Sequence, residues 1–102
     1  LLSLLKEDSQ DNLILFLGAK WCGHCKNFTR KVYPTLLKEV KKRSHKVMKV
    51  EYTDKANQPV VEAIFKLVGD RNIGFPFFVV LRKTHPPRFL SGFSMDTKRF
   101  FV

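Results

Sequence analysis

The chain has only two cysteines, Cys22 and Cys25, and their spacing could support either of two chemistries. Two thiols one helical turn apart can form and break a disulfide, or they can supply part of a metal site. His24 lies between them and could offer an imidazolium or an N–H donor to a thiolate. A structural zinc site would need further ligands from His45, His85 or a second subunit. The redox pair is therefore the favoured interpretation, with no metal bound.

The residues before and after the pair predict that Cys22 lies where a helix begins. Residues 13–17 are a continuous apolar run, typical of a strand buried on both faces. Gly18 and Ala19 are small enough for the backbone to turn after this strand, and a helical pattern starts at about His24. Unpaired N–H groups and the helix dipole stabilise an anion at a helix N-terminus. This position would favour a thiolate at Cys22.

A stabilised thiolate would make Cys22 the nucleophile of the pair. A free thiol has a pKa near 8.5, and lowering that pKa by about two units makes it mostly ionised at neutral pH. The change corresponds to roughly 2.7 kcal/mol, of which a helix N-terminus supplies about 0.3–2 kcal/mol. His24 could supply part of the remainder, and the charges of Lys20 and Lys26 could add to it. Cys25, one turn into the helix and facing inward, would resolve a mixed disulfide by attacking Cys22.

The order of the predicted helices and strands indicates an α/β fold in which a central mixed sheet is flanked by helices on both faces. A short helix is predicted over residues 1–5. After the pair, a stripe at i, i+4 spacing predicts a long helix that Pro34 divides near Tyr33. The stripe consists of Phe28, Val32, Leu36 and Val40. A second strand is predicted over residues 47–52.

A third helix is predicted from the cap residue Asn57 to the stop at Gly69, with Pro59 in its first turn. Its buried side would consist of Val60, Ile64, Phe65, Leu67 and Val68. An apolar strand over 77–81, a turn at 85–87 and a partner strand over 88–90 predict a hairpin. A final helix is predicted after Gly92, capped by Ser94 or Asp96.

Composition limits the classes of partner. The 102 residues suit one globular domain, and no apolar run is long enough for a membrane span. The net charge is +10, and the basic residues are concentrated between residues 38 and 49; an acidic partner is possible, although a solvated surface is the favoured explanation. Aromatic residues do not alternate with these charges. Binding to nucleic acid therefore has little support.

Two motifs together resemble the thioredoxin superfamily over nearly the whole chain. They are Trp21-Cys22-Gly23-His24-Cys25-Lys26 after an apolar strand and Ile73-Gly74-Phe75-Pro76 before another. The form Cys-Gly-His-Cys is typical of protein disulfide isomerase domains. The resemblance implies a single thioredoxin-like domain over residues 1–102 that exchanges disulfides with protein substrates and needs a recycling redox partner but no cofactor. It also favours the endoplasmic reticulum lumen or the periplasm as the compartment.

The resemblance also implies roles for particular residues. Cys22, Cys25 and His24 would be catalytic, and His24 would make the pair more oxidising, as in an isomerase. Pro76 would be a cis-proline beside the cysteines, although a proline there could also simply start a strand. With Trp21, Gly23 and Phe75 it would bind an extended peptide. Trp21 could instead be a core residue, but the rim of this groove is favoured.

The chain departs from the family pattern at several positions. Phe16 stands where a buried acidic residue usually assists the second cysteine, Arg30 where a proline usually kinks the helix, and Phe77 where threonine is common. The usual first strand is absent before Leu1. A second interpretation therefore remains open, namely a binding or chaperone module with a weakly active disulfide and a basic surface for a partner.

Overall fold

The computed structural model describes residues 12–43, 45–69, 73–82 and 85–101. The helix predicted over residues 1–5 lies outside them. Four strands form one sheet: β1 (Asn12–Gly18), β2 (Lys46–Glu51), β3 (Phe77–Arg82) and β4 (His85–Ser91). Their order is β2-β1-β3-β4; β1 and β2 are parallel, whereas β3 is antiparallel to both β1 and β4. This confirms a mixed sheet.

Alternation along β1 explains how one apolar run serves two cores, since successive side chains of a strand point to opposite faces. Leu13, Leu15 and Leu17 belong to one buried cluster, and Ile14 and Phe16 belong to the other. All of these residues are at most 4% exposed. The predicted burial of this strand on both faces is therefore confirmed.

Two helices cover the face that contains Phe16. They are α1 (Gly23–Lys31) and α2 (Tyr33–Lys42), separated at Val32. Pro34 lies in the first turn of α2, where the missing N–H has no intrahelical partner to lose. The predicted division of the long helix near Tyr33 is confirmed, and all four residues of the i, i+4 stripe are buried against this face.

The opposite face is covered by α3 (Gln58–Val68), which follows a short 3-10 helix, Lys55–Asn57. Its buried residues are Val61, Ile64 and Val68. The assignment of Phe65 and Leu67 to the buried side was wrong, because they are 38% and 40% exposed. Gly69 ends α3 with a φ of 75°, as predicted from its tolerance of the left-handed region.

Four boundary predictions are corrected. Asn57 makes no side-chain cap to α3, because its amide donates instead to the carbonyl oxygen of Glu51. Tyr52 lies in the turn after β2, and residues 85–87 belong to β4 rather than to a turn. After Gly92 the described chain forms only the 3-10 helix Lys98–Phe100 in place of an α-helix. Ser94 and Asp96 do accept backbone N–H groups there, each from the residue two positions later.

The helices therefore flank the sheet on both faces, and the α/β architecture is confirmed. The carboxyl end of β1, the start of α1 and the start of β3 meet at one edge of this sandwich, where Ala19, Cys22 and Cys25 form a small third cluster with Phe75 packed against it. None of the described helices is both long and apolar enough to cross a bilayer.

Candidate active site

Cys22 is the N-cap residue of α1. Its backbone is extended, with φ −89° and ψ 112°, and its Sγ accepts a hydrogen bond from the backbone N–H of Cys25 over 3.1 Å. This is the bond that a serine or aspartate oxygen makes at other helix starts. A backbone N–H group in this position binds a charged acceptor more strongly than a neutral one. The structure thus gives Cys22 the position predicted from the sequence.

The turn that carries Cys22 is fixed by its own backbone and by Glu51. The N–H of Cys22 donates to the carbonyl oxygen of Ala19 over 3.0 Å. Glu51 Oε2 accepts hydrogen bonds from the backbone N–H of Lys20, at 3.1 Å, and from the N–H and Oγ1 of Thr53. Partial burial alone would raise the pKa of Glu51, but the bonds from Thr53 and Lys20 hold that pKa below its ordinary value. A carboxylate at the end of β2 therefore holds the loop before the nucleophile.

Cys25 lies one turn into α1 and is only 4% exposed. Burial raises the pKa of its thiol from 9.0 to about 12, and a side-chain hydrogen bond with Cys22 and the charges of Cys22 and Glu51 add to the rise, opposed by a backbone hydrogen bond at Ala19. Both cysteines are free thiols. The two sulfurs therefore differ in environment, with one at the helix start and the other held as a neutral thiol behind it.

The peptide bond between Phe75 and Pro76 is cis. Phe75 packs on the cysteine cluster, which places Pro76 one residue from that contact. Pro76 is buried, and its carbonyl oxygen accepts a hydrogen bond from the N–H of Gly92 over 2.9 Å. Within the described residues, the backbone N–H and C=O of Phe75 form no hydrogen bond. An extended chain could therefore pair with Phe75 by backbone hydrogen bonds.

The rings near Cys22 form an exposed aromatic row. Trp21 is 64% exposed, and its ring centroid lies 5.3 Å from that of Phe75. Tyr52 lies 5.2 Å from Phe75 and 6.1 Å from Phe65 on the same centroid measure. Trp21 is thus a rim residue, as favoured from the sequence. Tyr52 and Phe65 were missed, because the sequence pattern assigned the first to a strand and the second to the buried side of a helix.

Gly23 and His24 are exposed at the start of α1. A Cβ added at Gly23 would meet no other part of the fold within 4 Å, so the space beside this position is open. In the described residues His24 makes no hydrogen bond to either sulfur. Any effect of an imidazolium on Cys22 therefore acts through its charge across space.

The described residues contain no group of three or more His, Cys, Asp or Glu side chains that could hold a metal ion. His45 is half-buried and stacks on Phe101 at 5.5 Å between centroids, and His85 is exposed on β4. The arrangement brings together a thiol positioned for ionisation, a second thiol behind it and an apolar surface beside both. Such a set can exchange a disulfide between the pair and another molecule.

Comparisons with known proteins agree with this geometry. A family model described as Thioredoxin matches residues 3–93. Among solved structures, a chloroplastic thioredoxin z is 22% identical with a TM-score of 0.68, covering 98% of this chain and 81% of that chain.

A Fasciola hepatica thioredoxin is 21% identical with a TM-score of 0.66, covering 95% of this chain and 83% of that chain. The C-terminal domain of Neisseria meningitidis DsbD, in the reduced form, is 25% identical with a TM-score of 0.61, covering 97% and 84%. A search of curated proteins found no match.

Proposed function

The chain belongs to the thioredoxin family, and from that membership we propose that it exchanges disulfides with protein substrates through Cys22 and Cys25, as an oxidase or isomerase rather than as a reductant. The observation that carries the proposal is the hydrogen bond from the N–H of Cys25 to Cys22 Sγ at the start of α1. It favours a thiolate at Cys22, which is 7% exposed, while Cys25, 4% exposed, remains a neutral thiol behind it. Family membership alone supports thiol–disulfide chemistry in general.

The exchange proceeds in two balanced steps. The Cys22 thiolate attacks one sulfur of a substrate disulfide; a Cys22–substrate disulfide forms and the other substrate sulfur leaves as a thiolate. Cys25 then passes its proton to the substrate thiolate that left in the first step and attacks Cys22 Sγ, which releases the second substrate thiolate and leaves a Cys22–Cys25 disulfide. Two electrons pass to the substrate. Oxidation of a substrate dithiol is the same sequence in reverse, and a recycling redox partner restores the starting state.

The proposed binding surface for the substrate is the edge beside Cys22. The backbone groups of Phe75, which form no hydrogen bond within the described residues, would hold an extended peptide by β-type pairing, and Pro76 would fix the direction of that backbone. Trp21 and Phe75 offer rings that pack against apolar side chains of an unfolded chain. Gly23 leaves room for the peptide above the nucleophile.

The oxidising direction is supported by interactions that stabilise the dithiol form. A reduction potential rises when the reduced pair is stabilised relative to the disulfide. The bonds from Cys25 to Cys22 Sγ exist in the dithiol, and the charge of a protonated His24 would favour a thiolate at Cys22. We therefore expect a potential near that of disulfide isomerases, about −180 mV. A midpoint as low as about −270 mV would contradict this direction.

Two single variants test the proposed roles. With a peptide disulfide as substrate, Cys22→Ser should abolish turnover, because no nucleophile remains at the helix start. Cys25→Ser should accumulate a mixed disulfide through Cys22, visible as a mass increase that a reductant removes. Turnover that survives in Cys22→Ser would refute the assignment of the nucleophile.

A second candidate is a binding or chaperone module with a weakly active disulfide. Phe16, fully buried where the family commonly has an acidic group, favours it, because an apolar ring cannot take the proton of Cys25. The Cys22→Ser/Cys25→Ser protein would then hold unfolded polypeptide as well as the unmodified chain does. Negligible insulin reduction by the unmodified chain would complete the case.

We further propose the endoplasmic reticulum lumen or the periplasm as the compartment, supported by the sequence Cys-Gly-His-Cys. Immunodetection of the native protein in fractionated cells would test this, and its recovery in the cytosol would refute it.

A further inference from the structure

A pocket of about 500 Å³ opens beside Cys25, on a side distinct from the peptide edge. Cys25 lines it, whereas Cys22, Trp21 and Phe75 do not. Phe16, Gly18, Ala19 and Thr29 contribute its uncharged wall. Its volume lies in the range of sites that hold small ligands or single side chains. The mechanism proposed above makes no use of this space.

The charged lining of the pocket is mostly positive. Four cations, Lys20, Lys26, Arg30 and Lys49, face a single carboxylate, Glu51. That carboxylate already accepts three hydrogen bonds, from Thr53 and from the backbone of Lys20. The guanidinium of Arg30 donates to the amide oxygen of Asn27 rather than to an acid. In the described parts of the chain, no salt bridge engages any of the four cations.

The four cations come from three parts of the fold. Lys26 and Arg30 are one turn apart on α1, Lys20 lies in the loop after β1, and Lys49 lies on β2 directly opposite Phe16. The Lys49 ammonium lies 5.8 Å from the centroid of the Phe16 ring. A cluster of cations attracts carboxylates, and hydrogen bonds between the two charged groups are stronger than those between neutral groups.

We propose that this pocket receives Asp or Glu side chains of the protein substrate, so that disulfides flanked by acidic residues react preferentially. The inference rests on the proposed function, because a substrate joined to Cys22 would be attached three residues before Cys25, which lines the pocket. Tethering of this kind raises the local concentration of a neighbouring carboxylate. Charge complementarity identifies the occupant: four cations and one carboxylate line the pocket, and the whole chain carries +10.

The test compares two synthetic peptide disulfides that differ only in Asp/Glu against Asn/Gln beside the cysteines. The pocket variant is Lys26→Gln/Arg30→Gln. The matched control is Lys41→Gln/Lys42→Gln, which removes the same charge from the exposed end of α2, outside the pocket. Two exposed ion pairs give about a fivefold preference in kcat/KM for the acidic peptide. We expect the pocket variant to lose this preference and the control to keep it.

A binding measurement separates this inference from the proposed function. Fluorescence anisotropy of the same labelled peptides on the Cys22→Ser/Cys25→Ser protein should show the acidic preference without any chemistry. If the neutral peptide is not turned over by the unmodified chain, the proposed function fails, and the binding preference still decides the role of the pocket.

Equal loss of preference in the pocket and control variants would overturn the inference, because net charge alone would then explain it. Equal binding of both peptides would overturn it too. So would a single-stranded oligonucleotide that binds through Lys26 and Arg30 while the peptides show no preference.

Discussion

Replacement of Cys22 by alanine should lower the pKa of the Cys25 thiol from about 12, yet leave it above the ordinary value of 9.0. Burial is the largest cause of the raised pKa, and it stays in the variant because Cys25 remains in the same cluster. The hydrogen bond with Cys22 and the charge of Cys22 are lost. The expected midpoint therefore lies between the two values.

The variant contains a single cysteine, so the 13C chemical shift of its labelled Cβ against pH reports on Cys25 alone. A thiol with the ordinary value is about 90% ionised at pH 10, whereas a thiol with a pKa of about 12 is roughly 1% ionised there. The variant should lie between these limits. Cys22→Ser serves as the matched control, because its hydroxyl can accept the hydrogen bond but carries no charge. Its midpoint should fall between those of Cys22→Ala and the unmodified chain.

Two results would refute this reasoning. A midpoint at or below 9.0 in Cys22→Ala would mean that burial of Cys25 contributes nothing. A midpoint that stays at about 12 would mean that the neighbouring sulfur contributes nothing, and the two thiols would then not be coupled as the exchange mechanism requires.

Three further predictions concern stability. Phe28→Ala should lower the free energy of unfolding in urea by about 3–5 kcal/mol, because its ring is fully buried against three other phenylalanines; a loss under about 1 kcal/mol would contradict that packing. Gly69→Ala should cost about 1–3 kcal/mol in the same assay, because φ is 75° there, whereas Gly74→Ala, with open space and no positive φ, should cost less; equal costs would contradict the backbone argument. The reduced chain should lose stability as pH rises from 9.0 towards about 12, since the folded state holds the Cys25 proton more tightly than the unfolded state does; Cys25→Ala should show a shallower loss in thermal unfolding, and equal slopes would contradict the raised pKa.

The sequence predicted those features that depend on local backbone chemistry. The apolar run of β1 indicated a strand buried on both faces, Pro34 indicated the division of a helix, and Gly69 indicated a helix end. The spacing of Cys22 and Cys25 after a strand predicted a thiol at a helix start. Each prediction needs only neighbouring residues, and each agrees with the structure.

Features that depend on strand register could not be predicted. The pairing of Gly18 with Glu51 brings the carboxylate to the loop before Cys22, and nothing near Glu51 in the sequence indicates this. The pairing of Phe16 with Lys49 likewise helps to form the charged pocket. Phe65 was assigned to the wrong side of α3, because an apolar helix with few polar residues does not reveal which side faces the sheet. Its exposed ring instead extends the aromatic row beside Cys22.

Equilibration of the chain with mixtures of reduced and oxidised glutathione, followed by acid quenching and mass spectrometry, tests the central claim most directly. The account predicts a reversible disulfide between Cys22 and Cys25 with a midpoint well above about −270 mV. A chain whose two thiols fail to join at any ratio of the mixture would contradict it.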